Sequence, residues 1–273
     1  MPLLADNIDK INWEALSGNT NDNALELLEE NQNKINWTEL SLNTNDIALR
    51  ILEQNKDKIE WKYLSYNTND RAIALLEQNP DKIDWYQLIS NSNDKAFDII
   101  EQNIDNIDWD NLSYNKNDRA ISLLKENPDK INWEYFSYNP NDKAFKIIEQ
   151  NKDKIHYDSL SFNINDRAFS ILEEMSDKID WCLLSSNKND KAISLLEQNI
   201  KKIDWVWLSR NTNDKALALL EKRKKKINWH NLSSNSNDRA IILLEENQTK
   251  INWDRLSKNP NENLWYNTEY ILK

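Results

Sequence analysis

The chain has 273 residues, 39% hydrophobic and 30% charged with a mean hydropathy of −0.85, too polar for one large compact core. Its formal charge of −11 argues against phosphate backbones as the main partner, because nonspecific nucleic-acid affinity comes largely from basic charge. A single cysteine, Cys182, excludes a disulfide within the chain, and no apolar run approaches the roughly 18 residues of a membrane span.

The first residues, Met-Pro-Leu-Leu-Ala-Asp, lack the basic and long apolar regions of a signal peptide, so no membrane association and a cytoplasmic protein are expected. Residues 1–8 are expected to form an N-terminal cap, with Leu3 and Leu4 covering the first repeat.

From Asp9 onward the sequence repeats every 24 residues with no insertion, in eleven units beginning at residues 9, 33, 57, 81, 105, 129, 153, 177, 201, 225 and 249. Position 3 of each repeat is Ile, from Ile11 to Ile251. Position 5 is Trp except for Tyr157, and position 8 is Leu except for Phe136. Positions 11 and 13 are always Asn, and position 14 is Asp until Glu262. These columns predict an all-α fold, an αα-solenoid of eleven 24-residue repeats, each a short helix plus a longer helix. Residues 9–248 supply ten regular repeats, and 249–273 a divergent last repeat and a C-terminal cap.

Within a repeat the short helix comes first. Asp84 or Asn132 can cap it, and Ile83 with Leu88 has the spacing of a hydrophobic staple. About six residues make no stable free helix, so packing must hold it, with Trp85 as the expected core anchor worth roughly 2 to 3 kcal/mol. Ala72, Ile73, Leu75 and Leu76 then line one face of the longer helix. Asn67 is the expected N-cap of that helix, with Asp70 completing a capping box and Pro140 and Pro260 at the first helical position. Asn79 is expected to end it in the left-handed conformation, in a chain with one glycine. Met175 and Arg223 replace that Asn, and strain is expected at both junctions.

The invariant columns read as structure: Trp as core, the paired Asn as caps and bonds between repeats, and Asp as an acid at a helix N-terminus. Position 15 is less simple. Arg71, Lys95, Arg119, Lys143, Arg167, Lys191, Lys215 and Arg239 form a basic stripe where the helix dipole opposes a cation. It either pairs with the Asp column of an adjacent repeat or grips an acidic partner. The run Lys222-Arg223-Lys224-Lys225-Lys226 reads as a solvated corner, with a nuclear-localisation or nucleic-acid patch as the alternative.

Specificity belongs to the columns that vary. Positions 6, 7 and 10 of the short helix carry Tyr63, Tyr66, Tyr86, Tyr114, Tyr135, Tyr138, Phe162, Trp207 and Arg210, a candidate partner-binding face. Shielding of neighbouring repeats from water is the competing reading. No catalytic, cofactor-binding or metal-binding residues are assigned. His156 and His230 have no repeatable Ser or Cys beside them, and one Gly cannot build a phosphate loop.

The motif Ile-x-Trp-x-x-Leu-Ser-x-Asn-x-Asn-Asp, followed by Ala-x-x-Leu-Leu-Glu-x-Asn, resembles short repeats in many proteins of giant DNA viruses related to mimivirus, over residues 9–266. Those repeats often show Asn-Pro-Asn-Ala, and here only Asn139-Pro140-Asn141 and Asn259-Pro260-Asn261 keep the Pro. The resemblance implies a viral source and host cytoplasm, and supplies no activity. The resulting expectation is a non-enzymatic scaffold for a protein partner, engaging host factors if viral. A modular nucleic-acid binder and a structural virion component are the alternatives. A monomer is expected, with Leu264-Trp265-Tyr266 and Tyr270-Ile271-Leu272 folding back over Trp253 or else docking a second subunit.

Overall fold

The structure is a computed structural model and describes residues 7–264. Among the described residues every regular element is helical. The third repeat shows the unit: a short helix at Trp61–Tyr66, a longer one at Asp70–Gln78, and a 3-10 turn at Pro80–Lys82 that the sequence pattern does not separate. The set recurs as Trp109–Tyr114, Asp118–Glu126 and Pro128–Lys130, and as Trp181–Ser186, Asp190–Gln198 and Ile200–Lys202.

The chain forms two compact units, residues 1–136 and 137–273. Within each, short helices pack on the short helices of the next repeat and long on long, the neighbour-to-neighbour order of an α-solenoid. The buried layer is made by Ala72, Ile73, Leu75 and Leu76 and their equivalents on the long helix, with Ile83 and Leu88 from the short-helix segment.

The tryptophans are not in that layer. Trp37, Trp61, Trp85 and Trp109 are each half-buried, and Trp253 is 64% exposed. Their rings lie along the edge of the apolar spine, where a lysine of the next turn can cover them. Lys250 Nζ stands 4.6 Å from the Trp229 ring centre, and Lys178 Nζ 4.7 Å from that of Tyr157. Trp253 has no described repeat after it.

The helix ends also depart from expectation. Asp84 does cap the short helix, its Oδ1 accepting from Gln87 N at 3.1 Å. The long helix, however, is capped by Asn69, whose Oδ1 accepts from Arg71 N at 2.8 Å, and the Asn67–Asp70 box does not form. Asn67 is committed elsewhere. It is 2% exposed, its Nδ2 donates to Ser41 O and Asn43 O of the preceding repeat, both at 2.9 Å, and its Oδ1 accepts from Asn69 N at 2.9 Å. Pro140 therefore precedes the cap Asn141 and lies outside the helix. Pro260 holds the same place before Asn261.

At the other end Asn79 has φ −134° and ψ 62°, and no described non-glycine residue has a positive φ. Its side chain does the capping, with Nδ2 donating to Leu75 O at 2.7 Å. A side-chain donor thus satisfies a terminal carbonyl without a left-handed residue, which removes the need for glycine. Met175 (φ −123°, ψ 47°) and Arg223 (φ −135°, ψ 47°) adopt the same backbone, so the expected left-handed strain is absent; the amide bond is missing at both, and the 3-10 turn does not form after Met175 although it forms after Arg223.

Asn67 offers a direct stability test. Asn67→Ala orphans two buried carbonyls and an amide, and should cost about 3 kcal/mol or more. Asn19, exposed in the first described repeat, should cost far less on the same change. Urea unfolding of the two variants checks this, and equal midpoints would contradict it.

Candidate functional site

The polar seam between repeats determines which side chains remain for a partner. Ser65 Oγ donates to Trp61 O and accepts from Asp84 N of the next repeat at 3.0 Å. Asn93 of the fourth repeat caps its own helix while Nδ2 donates to Thr68 O at 2.7 Å and to Asp70 Oδ1 at 2.8 Å. Asp70 Oδ2 then receives Lys95 Nζ at 2.7 Å. Both carboxylate oxygens of Asp70 are thus used between repeats.

The basic stripe divides by residue type. Lys95, Lys191 and Lys215 pair with Asp70, Asp166 and Asp190 of the preceding repeat, the Asp-column pairing expected of the stripe. Arg71, Arg119, Arg167 and Arg239 instead lay two nitrogens on Glu53, Glu101, Glu149 and Glu221, near the end of the preceding long helix. The longer planar fork reaches a carboxylate that these lysines do not engage. Arg119 adds Asp98 Oδ1 at 2.7 Å, and its guanidinium is held above its ordinary pKa mainly by the Glu101 and Asp98 hydrogen bonds. Lys143 holds the same position in the sixth repeat.

The Lys95 and Asn93 hydrogen bonds hold the Asp70 carboxyl below the usual carboxylate range. A depressed folded pKa contributes stability above the unfolded pKa, near 4, and loses it as pH falls through the lower folded value. The urea midpoint of the wild type should exceed that of Asp70→Asn by a constant margin from about pH 7 to 5, and the two should converge as the pH falls below the usual carboxylate range. A margin that persists in acid would exclude the charge pair as its source.

Outward positions of the short helix do expose aromatic side chains. Tyr86 is 61% exposed, and Tyr66, Tyr114, Tyr135, Phe162 and Trp207 are also well exposed to solvent. Arg210 is exposed, whereas Tyr63 and Tyr138 are half-buried, so neither Tyr63/Tyr66 nor Tyr135/Tyr138 presents two equivalent rings. Tyr138 stacks on Phe162 of the next repeat with ring centres 5.6 Å apart and planes 15° from parallel.

Tyr86, Tyr114, Tyr135, Phe162 and Trp207 line two clefts, which the pattern of a single repeat cannot show, whereas Tyr63 and Tyr66 line neither. In the first unit, Tyr86, Tyr114 and Tyr135, from three successive repeats, surround a space of about 420 Å³ with Asp108, Asp110 and Asn111. Asn111 fixes the floor, donating from Nδ2 to Tyr86 O at 2.8 Å and to Ser90 Oγ at 2.9 Å. Asp108 Oδ1 accepts from the amides of Asp110 and Asn111, and Asp110 Oδ1 accepts from Asn132 Nδ2. In the second unit, Phe162 and Trp207 line a space of about 300 Å³ with Lys188 and Arg210.

The clefts match the charge of their units. Residues 1–136 hold 26 of the 46 acidic side chains and 13 of the 35 lysines and arginines, a formal −13, which leaves 137–273 at +2.

Burial, then the carboxylates of Asp204 and Asp180, push the Cys182 thiol above its ordinary pKa. His156 Nδ1 accepts from Ser159 N as an N-cap, and His230 Nδ1 lies 3.0 Å from Asn252 Nδ2. Among the described residues no group of three or more His, Cys, Asp and Glu could hold a metal ion. No described helix is long and apolar enough to cross a membrane. Leu3, Leu4, Trp265, Tyr266, Tyr270, Ile271 and Leu272 lie outside the described residues. No family profile, curated protein or solved structure matches the chain.

Cys182 modification tests the electrostatic reading. Asp204→Asn keeps an acceptor for the Val206 and Trp207 amides that Asp204 caps. Removing its charge should lower the thiol pKa and speed alkylation near pH 8 several-fold. An unchanged rate would mean that burial alone protects the sulfur.

Proposed function

We propose that the chain is a non-enzymatic repeat scaffold that binds another protein through the outward face of its short helices. The supporting observation is a division of labour within the repeat. The invariant Asn side chains and the nearly constant Ser and Asp columns, interrupted only at Ile89 and Glu262, are used in bonds between neighbouring repeats, while positions 6, 7 and 10 vary and leave large aromatic rings in contact with water. Exposed Tyr, Trp and Arg set around a cleft are the residue types that dominate protein-binding hot spots. The position-15 cations contribute little to this reading, because Lys95, Arg119 and their equivalents are engaged within the fold. If the viral resemblance holds, host proteins in the cytoplasm are the partners.

The basic cleft of the second unit favours a second reading. Phe162 and Trp207 beside Lys188 and Arg210 offer a stacking surface and positive charge to a single-stranded nucleic acid. Retention of labelled oligonucleotide that falls steeply with salt would support it.

Affinity capture separates the face from the rest of the surface. Replacing Tyr86, Tyr114, Tyr135 and Trp207 by Ser should abolish recovery of specific partners, while Glu77→Gln, Ser122→Ala and Glu197→Gln on the long helices should leave it intact. Undiminished recovery by the first variant would refute the assignment of the face.

A further inference from the structure

The two clefts share a scaffold and a location on the repeat, yet they differ in charge, and the difference points to the chemistry of an occupant. Around the cleft of the first unit stand three tyrosine rings and two carboxylates with no cationic side chain in the lining. Each carboxylate is anchored through one oxygen only. Asp108 Oδ1 takes two helix amides and Asp110 Oδ1 takes Asn132, whereas neither Oδ2 has a hydrogen bond among the described residues. The cleft therefore holds its acids in fixed positions by their inner oxygens and turns fixed acceptors and aromatic faces toward solvent. The surrounding unit carries a formal −13, which favours a cation at long range as well.

We propose that this cleft binds an arginine side chain of a basic segment in a partner protein, an inference that rests on the protein-binding function proposed for the chain. Arginine fits better than other cations for three reasons. Its planar guanidinium stacks on tyrosine, it presents several donors in a fixed fork, and it gives up its hydration more readily than an ammonium. A bare metal ion is a poorer match, because the inner oxygens are already engaged by protein donors and three of the lining groups are aromatic rings. The cleft spans three repeats, so an extended segment crossing it can place neighbouring basic residues against adjacent repeats. The cleft with Lys188 and Arg210 in its lining should reject the same segment.

The test uses the full chain and a fluorescein-labelled peptide of arginines separated by glycines, with a glutamate version as the opposite probe, read by anisotropy at about 0.15 M ionic strength. Tyr86→Ala and Tyr135→Ala should each weaken the arginine peptide about tenfold. Asp108→Asn combined with Asp110→Asn should do so by a similar factor. These Asn substitutions keep the cap and the Asn132 acceptor, so folding is preserved and only charge is removed. Ser122→Ala, on a long helix away from both clefts, should change affinity less than about twofold. Equal affinity across all variants would reduce the binding to diffuse charge and overturn the proposal. So would preference for the glutamate peptide, or self-association of the chain that the arginine peptide disperses, which would place a second copy in the cleft. A partner captured in cells that is lost with Trp207→Ser and Arg210→Ala but kept with Tyr86→Ser and Tyr135→Ser would also overturn it, while leaving the protein-binding face in place.

Discussion

Asn67 donates both amide hydrogens to the main chain of the repeat before it and accepts one from the residue two places on, in a site almost closed to water. Asn91, Asn163, Asn187, Asn211, Asn235 and Asn259 do the same within their units. This contact joins one chain segment to another 24 to 26 residues earlier, so its geometry survives only if the spacing never changes. One inserted residue would move the amide away from carbonyls that have no access to water, leaving them unpaired at about 1–3 kcal/mol each. The absence of insertions in the repeats follows from this constraint. Glutamine would be too long and aspartate would lack the donors, which explains why position 11 shows no variation at all.

The apolar contribution is arranged around the same seam. Ala72 and its equivalents are small enough to let long helices approach, and Ile73, Leu75, Leu76, Ile83 and Leu88 fill the space between layers. Each large aliphatic side chain contributes about 1.5–3 kcal/mol through burial, so a single repeat lacking neighbours on both sides loses most of its stabilisation. The half-buried indoles occupy the boundary between this layer and water. At Trp229 the ring lies beneath Lys250 of the next turn.

Periodicity made most of the fold legible. A hydrophobic pattern of helical period, a short segment before it and a fixed 24-residue register are local facts, and they were sufficient for the two-helix repeat. What escaped was every choice between two local partners that a distant residue decides. Asn67 and Asn69 are both good caps in isolation, and only the preceding repeat's carbonyls assign Asn69 to the helix and Asn67 to the seam. Arg71 and Lys95 look equivalent in one column, yet side-chain length sends one to Glu53 and the other to Asp70. Trp85 resembles a core residue because burial is a property of the stack, which no single 24-residue window contains. The outward rings were legible as candidates, but the clefts were not, since Tyr86, Tyr114 and Tyr135 come from three different repeats.

Such a scaffold can change what it binds without changing how it folds. The Tyr86, Tyr135 and Trp207 rings carry no share of the Asn, Ser and Asp bonds described for the seam, so exchanging one of them for another side chain costs little stability. The two units illustrate the outcome: one lines its cleft with Asp108 and Asp110, the other with Lys188 and Arg210, in repeats of the same register. If the clefts bind as proposed, selection by charge arises from repulsion as much as attraction, because each would penalise the cation or anion that the other accepts. An array in which stability lies in invariant columns and chemistry in variable ones can lengthen by duplication and afterwards alter its surface one position at a time.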